Sequence, residues 1–367
     1  MKNIIISRIT EGMFRYQGWP TVCKDEKGTL YCASSGHRLG HICPYGKDIL
    51  YRSTDGGETW SNGMIINDTC LDDRDAGLLY MGNGRLLLTW FDHPKEYYIA
   101  KKGHLAGPNP YGHLDSLSDG MVDAWLSLPE ERSHYGSFVR ISNDYGNTWG
   151  DPISVPVTSP HGPLLTKNGK VLYVGKGFNV KPVEGVIPVY GDGEILCFES
   201  EDLGQTWNYK STIPLPDGLS AGYFHEPHAC ELPSGRILGS VRVEGKGVDF
   251  GFTVYTFFSD DGGLSWSVPE PTGICGSPPH LLVHSSGAVI MTYGRRVHPE
   301  GERARISLDG GKTFGTEISL GFEGDVWDLG YPSSVELDDG SILTAYYQRF
   351  PGDNYCSVLG TKWKIGE

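Results

Sequence analysis

The chain reads as an all-β protein, a six-bladed β-propeller built as a single domain over residues 1–367. Two repeats in register and one unmatched N-terminal strand predict it. The first repeat is Ser-x-Asp-x-Gly-x-Thr/Ser-Trp/Phe, which begins at Ser53, Ser142, Ser200, Ser259 and Ser307. A motif that recurs five times marks a repeat architecture. The second repeat is an apolar run, a glycine turn and another apolar run, aligned on Gly28, Gly84, Gly169, Gly235, Gly287 and Gly340. It counts six units against five Asp turns.

Each Asp turn has the chemistry of a tight hairpin. The Asp side chain accepts hydrogen bonds from downstream amides, and Gly supplies a position with φ > 0. The closing aromatic adds a large apolar anchor. Strand-like residues precede the copies, as in Asp48-Ile-Leu-Tyr-Arg52 and Phe252-Thr-Val-Tyr-Thr-Phe-Phe258. The five Asp residues are therefore expected to form turns rather than bind ligands. The sixth unit runs from Pro332 through Gly340 to Cys356–Trp363 and lacks a fourth strand. The segment Asn3–Ile9 offers one. Radial repetition closed in this way protects strand edges.

Two stretches interrupt the repeat. Residues 92–137 carry Tyr97, Tyr98, His104, Tyr111, His113, Trp125 and His134, and residues 178–193 form a shorter insertion. Long excursions are commonly functional loops. The first is expected either to offer an aromatic surface for a sugar ring or to pack on itself or a second subunit.

Composition narrows the partners. Thirty-one Lys and Arg against 45 Asp and Glu give a net charge of −14, which argues against nucleic acid or an anionic membrane. No apolar stretch reaches the length of a membrane span. The N-terminal apolar run is too short for a signal peptide, so a cytoplasmic protein is expected as the sequence stands, or a secreted or periplasmic one if a leader was removed. The eight cysteines include no Cys-x-x-Cys pair and are expected as free thiols. No cofactor is expected. His225-Glu226-Pro-His228 lacks the His-Glu-x-x-His spacing, and strand alternation points His225 and Glu226 apart, so no metal is expected there.

The glycine register also locates candidate chemistry. Nine residues before the six glycines stand Trp19, Asp75, Pro160, Glu226, Pro278 and Tyr331, at the start of each innermost strand. These positions should converge at one end of the central axis, with His161 and Arg74 beside two of them. A second ring follows the glycines and holds Arg38 beside His37, then Arg242, Arg295 with Arg296, and Gln348. Arginines spread over several blades around a carboxylate and a phenol suit an anionic ligand.

These Asp turns, six units and pocket residues resemble the sialidase (neuraminidase) superfamily over the whole chain. The resemblance implies a retaining exo-glycosidase acting on a sialic acid or another acidic sugar. It also implies a tyrosine nucleophile, the known exception among glycosidases. It places the nucleophile at Tyr331, its base at Glu226, and two carboxylate-binding arginines at Arg242 and at Arg295 or Arg296. Arg38 fits a pocket arginine and Asp75 the pocket aspartate of the second blade. The pattern departs from the superfamily in three places. Gly18-Trp19-Pro20 stands where it keeps Arg-Ile-Pro, with Arg15 the nearest arginine, and Gln348 stands where it keeps a buttressing Glu. No Asp stands within a few residues of Arg38 to act as the acid, and Asp48 further on belongs to a strand, which leaves His37, His41 or Asp75 for the proton. The expected substrate clamp is thus altered. The alternative is a non-catalytic propeller that binds a glycan or a protein, in which Glu226 and Tyr331 would lie apart.

Overall fold

A computed structural model describes residues 1–103, 113–129, 134–178 and 193–366. His104 and Tyr111 of the first insertion and nearly all of the second lie outside them.

Six antiparallel sheets radiate from an axis. Strand β1 (Lys2–Ser7) precedes the first blade, which is β2 (Tyr16–Lys24), β3 (Leu30–Arg38), β4 (Lys47–Ser53) and β5 (Met64–Asn67). The second is β6 (Arg74–Tyr80), β7 (Leu86–Asp92), β8 (Gly136–Ser142) and β9 (Ile153–Val155). In the third, β10 (Val157–Thr158) and β11 (Leu164–Leu165) share the inner place beside β12 (Val171–Gly177), followed by β13 (Ile195–Ser200) and β14 (Asn208–Thr212). The fourth is β15 (Phe224–Glu231), β16 (Ile237–Glu244), β17 (Phe252–Ser259) and β18 (Glu270–Cys275). The fifth is β19 (Pro279–Val283), β20 (Val289–Arg295), β21 (Gly301–Ser307) and β22 (Ile318–Leu320). The sixth is β23 (Gly330–Glu336), β24 (Ile342–Arg349) and β25 (Cys356–Trp363), with β1 as its fourth strand, Asn3 opposite Thr361. The ring closes as the unmatched N-terminal strand predicts.

The core is a ring of seams between blades, and the Asp turns build them. All five turns join the third and fourth strands of a blade. In the second blade, Ser142 Oγ donates to Asp144 Oδ1 at 2.8 Å, and the amides of Gly146 and Thr148 close onto Ser142 and Asp144. The turn then leans on the preceding blade. Trp60 packs with Leu337 and Leu343, Trp149 with Leu50 and Tyr31, Trp207 with Leu87, Trp266 with Cys197, and Phe314 with Leu238. The seam between the fifth and sixth blades has no Asp turn, and the fully buried Trp363 packs there with Ile290 and Leu320. The Asp residues serve the fold.

The first insertion is helical where it is described. Helix α1 (Lys95–Ile99) and helix α2 (His113–Leu126) bury Tyr98, Val122 and Trp125 against Leu71. Ser118, Val122 and Trp125 recur at four and three residues and lie on one buried face of α2. The sequence predicts a loop here, since this apolar spacing covers only a few residues amid loop-forming ones. All eight cysteines are free. No helix among the described residues is long and apolar enough to cross a membrane.

The turn packing makes a testable difference between two glycines. Gly169 has φ +83° and open space around a notional Cβ, whereas Gly204, at φ +95°, would place that atom 2.5 Å from Leu87. Gly169→Ala should cost about 1 kcal/mol from the left-handed backbone alone. Gly204→Ala should cost at least about twice that, since the seam must also move. Urea denaturation of the two variants gives the comparison, and equal midpoints would remove the wedge role of the turn.

Candidate active site

The inner strands β2, β6, β15, β19 and β23 pack side by side around the axis. Four of them begin with a break in the ladder, at Gly18/Thr21, Arg74/Gly77, His225/His228 and Gly330/Ser333. At each break one residue takes a left-handed conformation: Trp19 (φ 53°), Asp75 (57°), Glu226 (49°) and Tyr331 (53°). A bulge of this sort re-aims a side chain. These are four of the six register positions, and the bulges turn them toward one end of the axis.

Tyr331 and Glu226 meet there. The Tyr331 hydroxyl donates to Glu226 Oε1, and Arg242 Nη1 donates to Glu226 Oε2 at 2.7 Å. Burial pushes the Glu226 carboxyl up, but Arg242, the tyrosine hydroxyl and Arg296 outweigh it and hold the group below its ordinary value. Glu226 is therefore an ionised acceptor at neutral pH. Burial and the negative charge of Glu226 push the Tyr331 phenol well above its usual range. The phenol keeps its proton, and an ionised carboxylate is in contact with it.

The arginines divide by what already occupies them. Arg242 spends Nη2 and Nε on Glu244 Oε2, at 2.6 and 3.2 Å, and lies 4.8 Å over the Phe252 ring. Arg296 sits 5.6 Å over the Tyr331 ring, with Nε donating to Leu329 O at 3.2 Å. Its Nη2 is buried with no hydrogen-bond partner. Arg295, one residue earlier, turns away and pairs with Glu317 at 3.0 Å. Of the two, Arg296 is the one beside Tyr331.

Several register residues lie elsewhere. Arg38 is fully buried, forked onto Asp72 with Nη2 to Oδ2 at 3.0 Å, and also donates to Ser35 and to the His41 carbonyl. Arg74 donates to the same carbonyl at 3.2 Å, and both guanidinium groups lie over Trp19. The Arg38 guanidinium offers no free N–H to the pocket. His37 is exposed, in a hollow beside Arg8 and Tyr51. Gln348 is buried and donates to Phe322 O at 3.3 Å, because strand alternation turns it away from Tyr347. Arg15 lies over the Tyr355 ring and donates to Thr10 O. His161 lies beneath Tyr331, ring centroids 6.5 Å apart, in a buried trio with His228 and His280. His228 Nδ1 accepts from the Leu281 amide, which leaves the hydrogen of the neutral ring on Nε2, so this ring does not offer Nε2 to a metal.

Asp75 and His41 do join the cluster. Burial pushes the Asp75 carboxyl up to about 7 against the pull of Arg74, with Glu226 adding to the rise. Its Oδ1 is buried without a partner. His41 Nδ1 lies 2.9 Å from Asp328 Oδ1, and its ring stands edge-on to Trp19 at 5.1 Å.

Residues not foreseen complete the wall. Asp328 accepts from Tyr16 Oη at 3.0 Å and Tyr347 Oη at 3.1 Å, and Glu244 braces Arg242. Tyr347 carries a readable signal. It follows Tyr331 by sixteen residues, as Arg242 follows Glu226, and the pairs Gly330–Tyr347 and His225–Arg242 are equivalent. Asp328 lies in a loop outside both repeats, and no spacing singles it out.

Comparison with known proteins agrees with this architecture. The BNR/Asp-box repeat model matches residues 51–62, the first Asp turn. No curated protein sequence matches the chain. Among solved structures, a protein of unknown function from Dyadobacter fermentans superposes with TM-score 0.75 at 23% identity, over 100% of this chain and 98% of that one. The NanB sialidase from Streptococcus pneumoniae gives 0.66 at 14% identity, over 98% of this chain and 70% of that one. An α-L-arabinofuranosidase from Fusarium graminearum, Arb93A, gives 0.63 at 14% identity, over 100% and 98%. At these identities the likeness is one of fold.

Two stability measurements test the electrostatics. Arg38→Met should cost about 3–5 kcal/mol, because it strands a buried carboxylate at Asp72. A small loss in urea denaturation would show that Arg38 is not a structural fork. Asp75 holds its proton up to about 7 when folded, against about 4 unfolded. Its stabilising contribution is whole below about pH 4 and is lost as pH rises toward 7. Melting curves across that window should show wild type losing ground to Asp75→Asn, and parallel curves would contradict the raised pKa.

Proposed function

We propose that the chain is a retaining exo-glycosidase in which Tyr331 is the nucleophile and Glu226 its base. This reading takes the resemblance of its fold to sialidases as a starting point and the side chains as its warrant. The observation that carries it is the Tyr331 hydroxyl donating to a Glu226 carboxylate that Arg242 keeps ionised. A phenol attacks poorly unless its proton leaves as the bond forms, and Glu226 stands in contact to receive it. A propeller that only bound a ligand would have no use for a pair of this kind on a strained backbone.

The substrate we propose is a sialic acid or another acidic sugar terminus. Arg296 supports this part, since its Nη2 is buried and unpartnered beside the Tyr331 ring. An anionic substituent taking that donor would bring the neighbouring anomeric carbon toward the Tyr331 oxygen. A neutral nucleophile suits such a sugar, since a carboxylate in its place would repel the substituent. The clamp differs from the sialidase pattern, with Trp19 and Tyr347 filling space beside it, so specificity among acidic sugars should differ too. Asp75 keeps its proton up to about 7 and has a buried Oδ1 without a partner, so in this reading it donates a hydrogen bond to the bound sugar.

A panel of fluorogenic acidic and neutral glycosides provides the test. The protein should cleave an acidic one with retention at the anomeric carbon. Glu226→Gln should lower kcat by about 10²–10⁴-fold, and Tyr331→Phe by at least as much. Wild-type turnover in Tyr331→Phe would refute the mechanism, and cleavage confined to neutral glycosides would refute the substrate class.

A further inference from the structure

Breaking a glycosidic bond needs a proton for the departing oxygen as well as a nucleophile for the anomeric carbon. Asp75 and His41 both stand in the cluster, and they differ in depth. Asp75 is 7% exposed, at the floor with Glu226. His41 keeps 30% of its side chain exposed, and its ring lies 5.8 Å from Trp327, which is 58% exposed. In an exo-acting enzyme the reacting sugar fills the pocket and the departing group points out of the mouth. The departing oxygen therefore meets the rim, where His41 is, while the floor faces substituents of the retained sugar.

His41 is also held so as to present one nitrogen. Nδ1 lies 2.9 Å from Asp328 Oδ1 and 3.1 Å from Tyr16 Oη. That hydroxyl itself donates to Asp328, as does Tyr347 Oη. Burial pushes the Asp328 carboxyl up, but His41, Tyr16 and Arg296 outweigh it and keep it ionised. An ionised carboxylate only accepts, so it fixes the hydrogen on His41 Nδ1 and leaves Nε2 for proton exchange. Nε2 hydrogen-bonds to nothing among the described residues. Trp19 and Trp327 bracket the ring at 5.1 and 5.8 Å.

We infer that His41, oriented by Asp328, protonates the departing oxygen, and that Trp327 is the platform on which a departing sugar stacks. This rests on the roles proposed for Tyr331 and Glu226. In the first step the Tyr331 oxygen bonds to the anomeric carbon and its proton passes to Glu226. The bond to the leaving group breaks, and that oxygen takes the proton from His41 Nε2. In the second step His41 Nε2 takes a proton from water, whose oxygen attacks the anomeric carbon. The Tyr331 oxygen departs and recovers its proton from Glu226. The leaving group is then a carbohydrate, because a flat exposed indole suits the C–H face of a sugar ring. The groups facing His41 are Asp328, which favours the imidazolium, Arg74 and Arg296, which oppose it, and the neutral hydroxyl of Tyr16. Burial adds to the opposition, so the donor form is favoured on the acid side of the ordinary histidine range.

The test compares two substrates that share the reacting sugar, a 4-nitrophenyl glycoside and a disaccharide. Nitrophenolate departs without help, whereas a sugar alkoxide needs the proton. His41→Gln should lower kcat/KM, which reports the first step alone, by about 100-fold or more on the disaccharide and by less than about 10-fold on the aryl glycoside. Retained aryl cleavage also shows that the variant is folded. Asp328→Asn should lower disaccharide turnover and move the limb of the pH profile, with partial recovery in Asp328→Glu. Trp327→Ala should raise KM for the disaccharide alone. Equal losses on both substrates in His41→Gln, or leaving-group discrimination in Asp75→Asn instead, would overturn the assignment. Full aryl turnover in Tyr331→Phe would instead remove the nucleophile reading beneath it. With that turnover lost, the His41 comparison stands on its own.

Discussion

Four inner strands begin with a residue held in the left-handed region, and the arrangement of the pocket depends on that constraint. For Trp19, Asp75, Glu226 and Tyr331 the conformation costs on the order of 1–2 kcal/mol each. A residue in a regular strand would point along the sheet face. The bulge rotates it toward the end of the axis, where side chains from different blades meet. Blades three and five show the converse. Their register positions are Pro160 and Pro278, whose rings hold φ near −65° and forbid this bulge. Neither position contributes an ionisable group. The ring of seams, wedged by the Asp turns and closed by β1 on β25, makes the frame stiff enough to hold four strained positions at once.

The pocket is electrostatically closed rather than an open cationic funnel. Arg38 is bound to Asp72, Arg242 to Glu226 and Glu244, and His41 to Asp328. Each pair offsets the desolvation of its partner, which is what permits so many charges near the axis. Arg296 keeps a buried Nη2 without a partner beside the Tyr331 ring. A net charge of −14 gives no long-range attraction to an anionic glycan. Capture would fall to short-range donors and to shape.

Legibility differed by residue. The Asp turns, the closing strand and the convergence of Glu226 with Tyr331 were all readable, because each rests on spacing that repeats. The second ring was less readable. Arg38, His37 and Gln348 follow their glycines by 10, 9 and 8 residues where Arg242 follows its own by 7, and alternation along the strand and local bulges send them to different faces. One residue of shift sends Arg295 to Glu317 and Arg296 to Tyr331. The helices of the first insertion were missed because their apolar spacing covers only a few residues amid loop-forming ones.

The sequence by itself determined the number of blades, the way the ring closes and which strand ends meet at the axis. These follow from local periodicity and turn chemistry, which act over a few residues. Only the tertiary structure decided which arginine keeps an unpartnered donor beside Tyr331, that Asp75 is buried deeply enough to hold a proton near neutral pH, and that Asp328 stands behind His41. Such properties depend on how far water is excluded and on which charge lies a few ångströms away across a seam. Residues in contact there are remote in the chain, 105 apart for Tyr331 and Glu226 and 287 for His41 and Asp328. No local pattern encodes desolvation by a neighbouring blade.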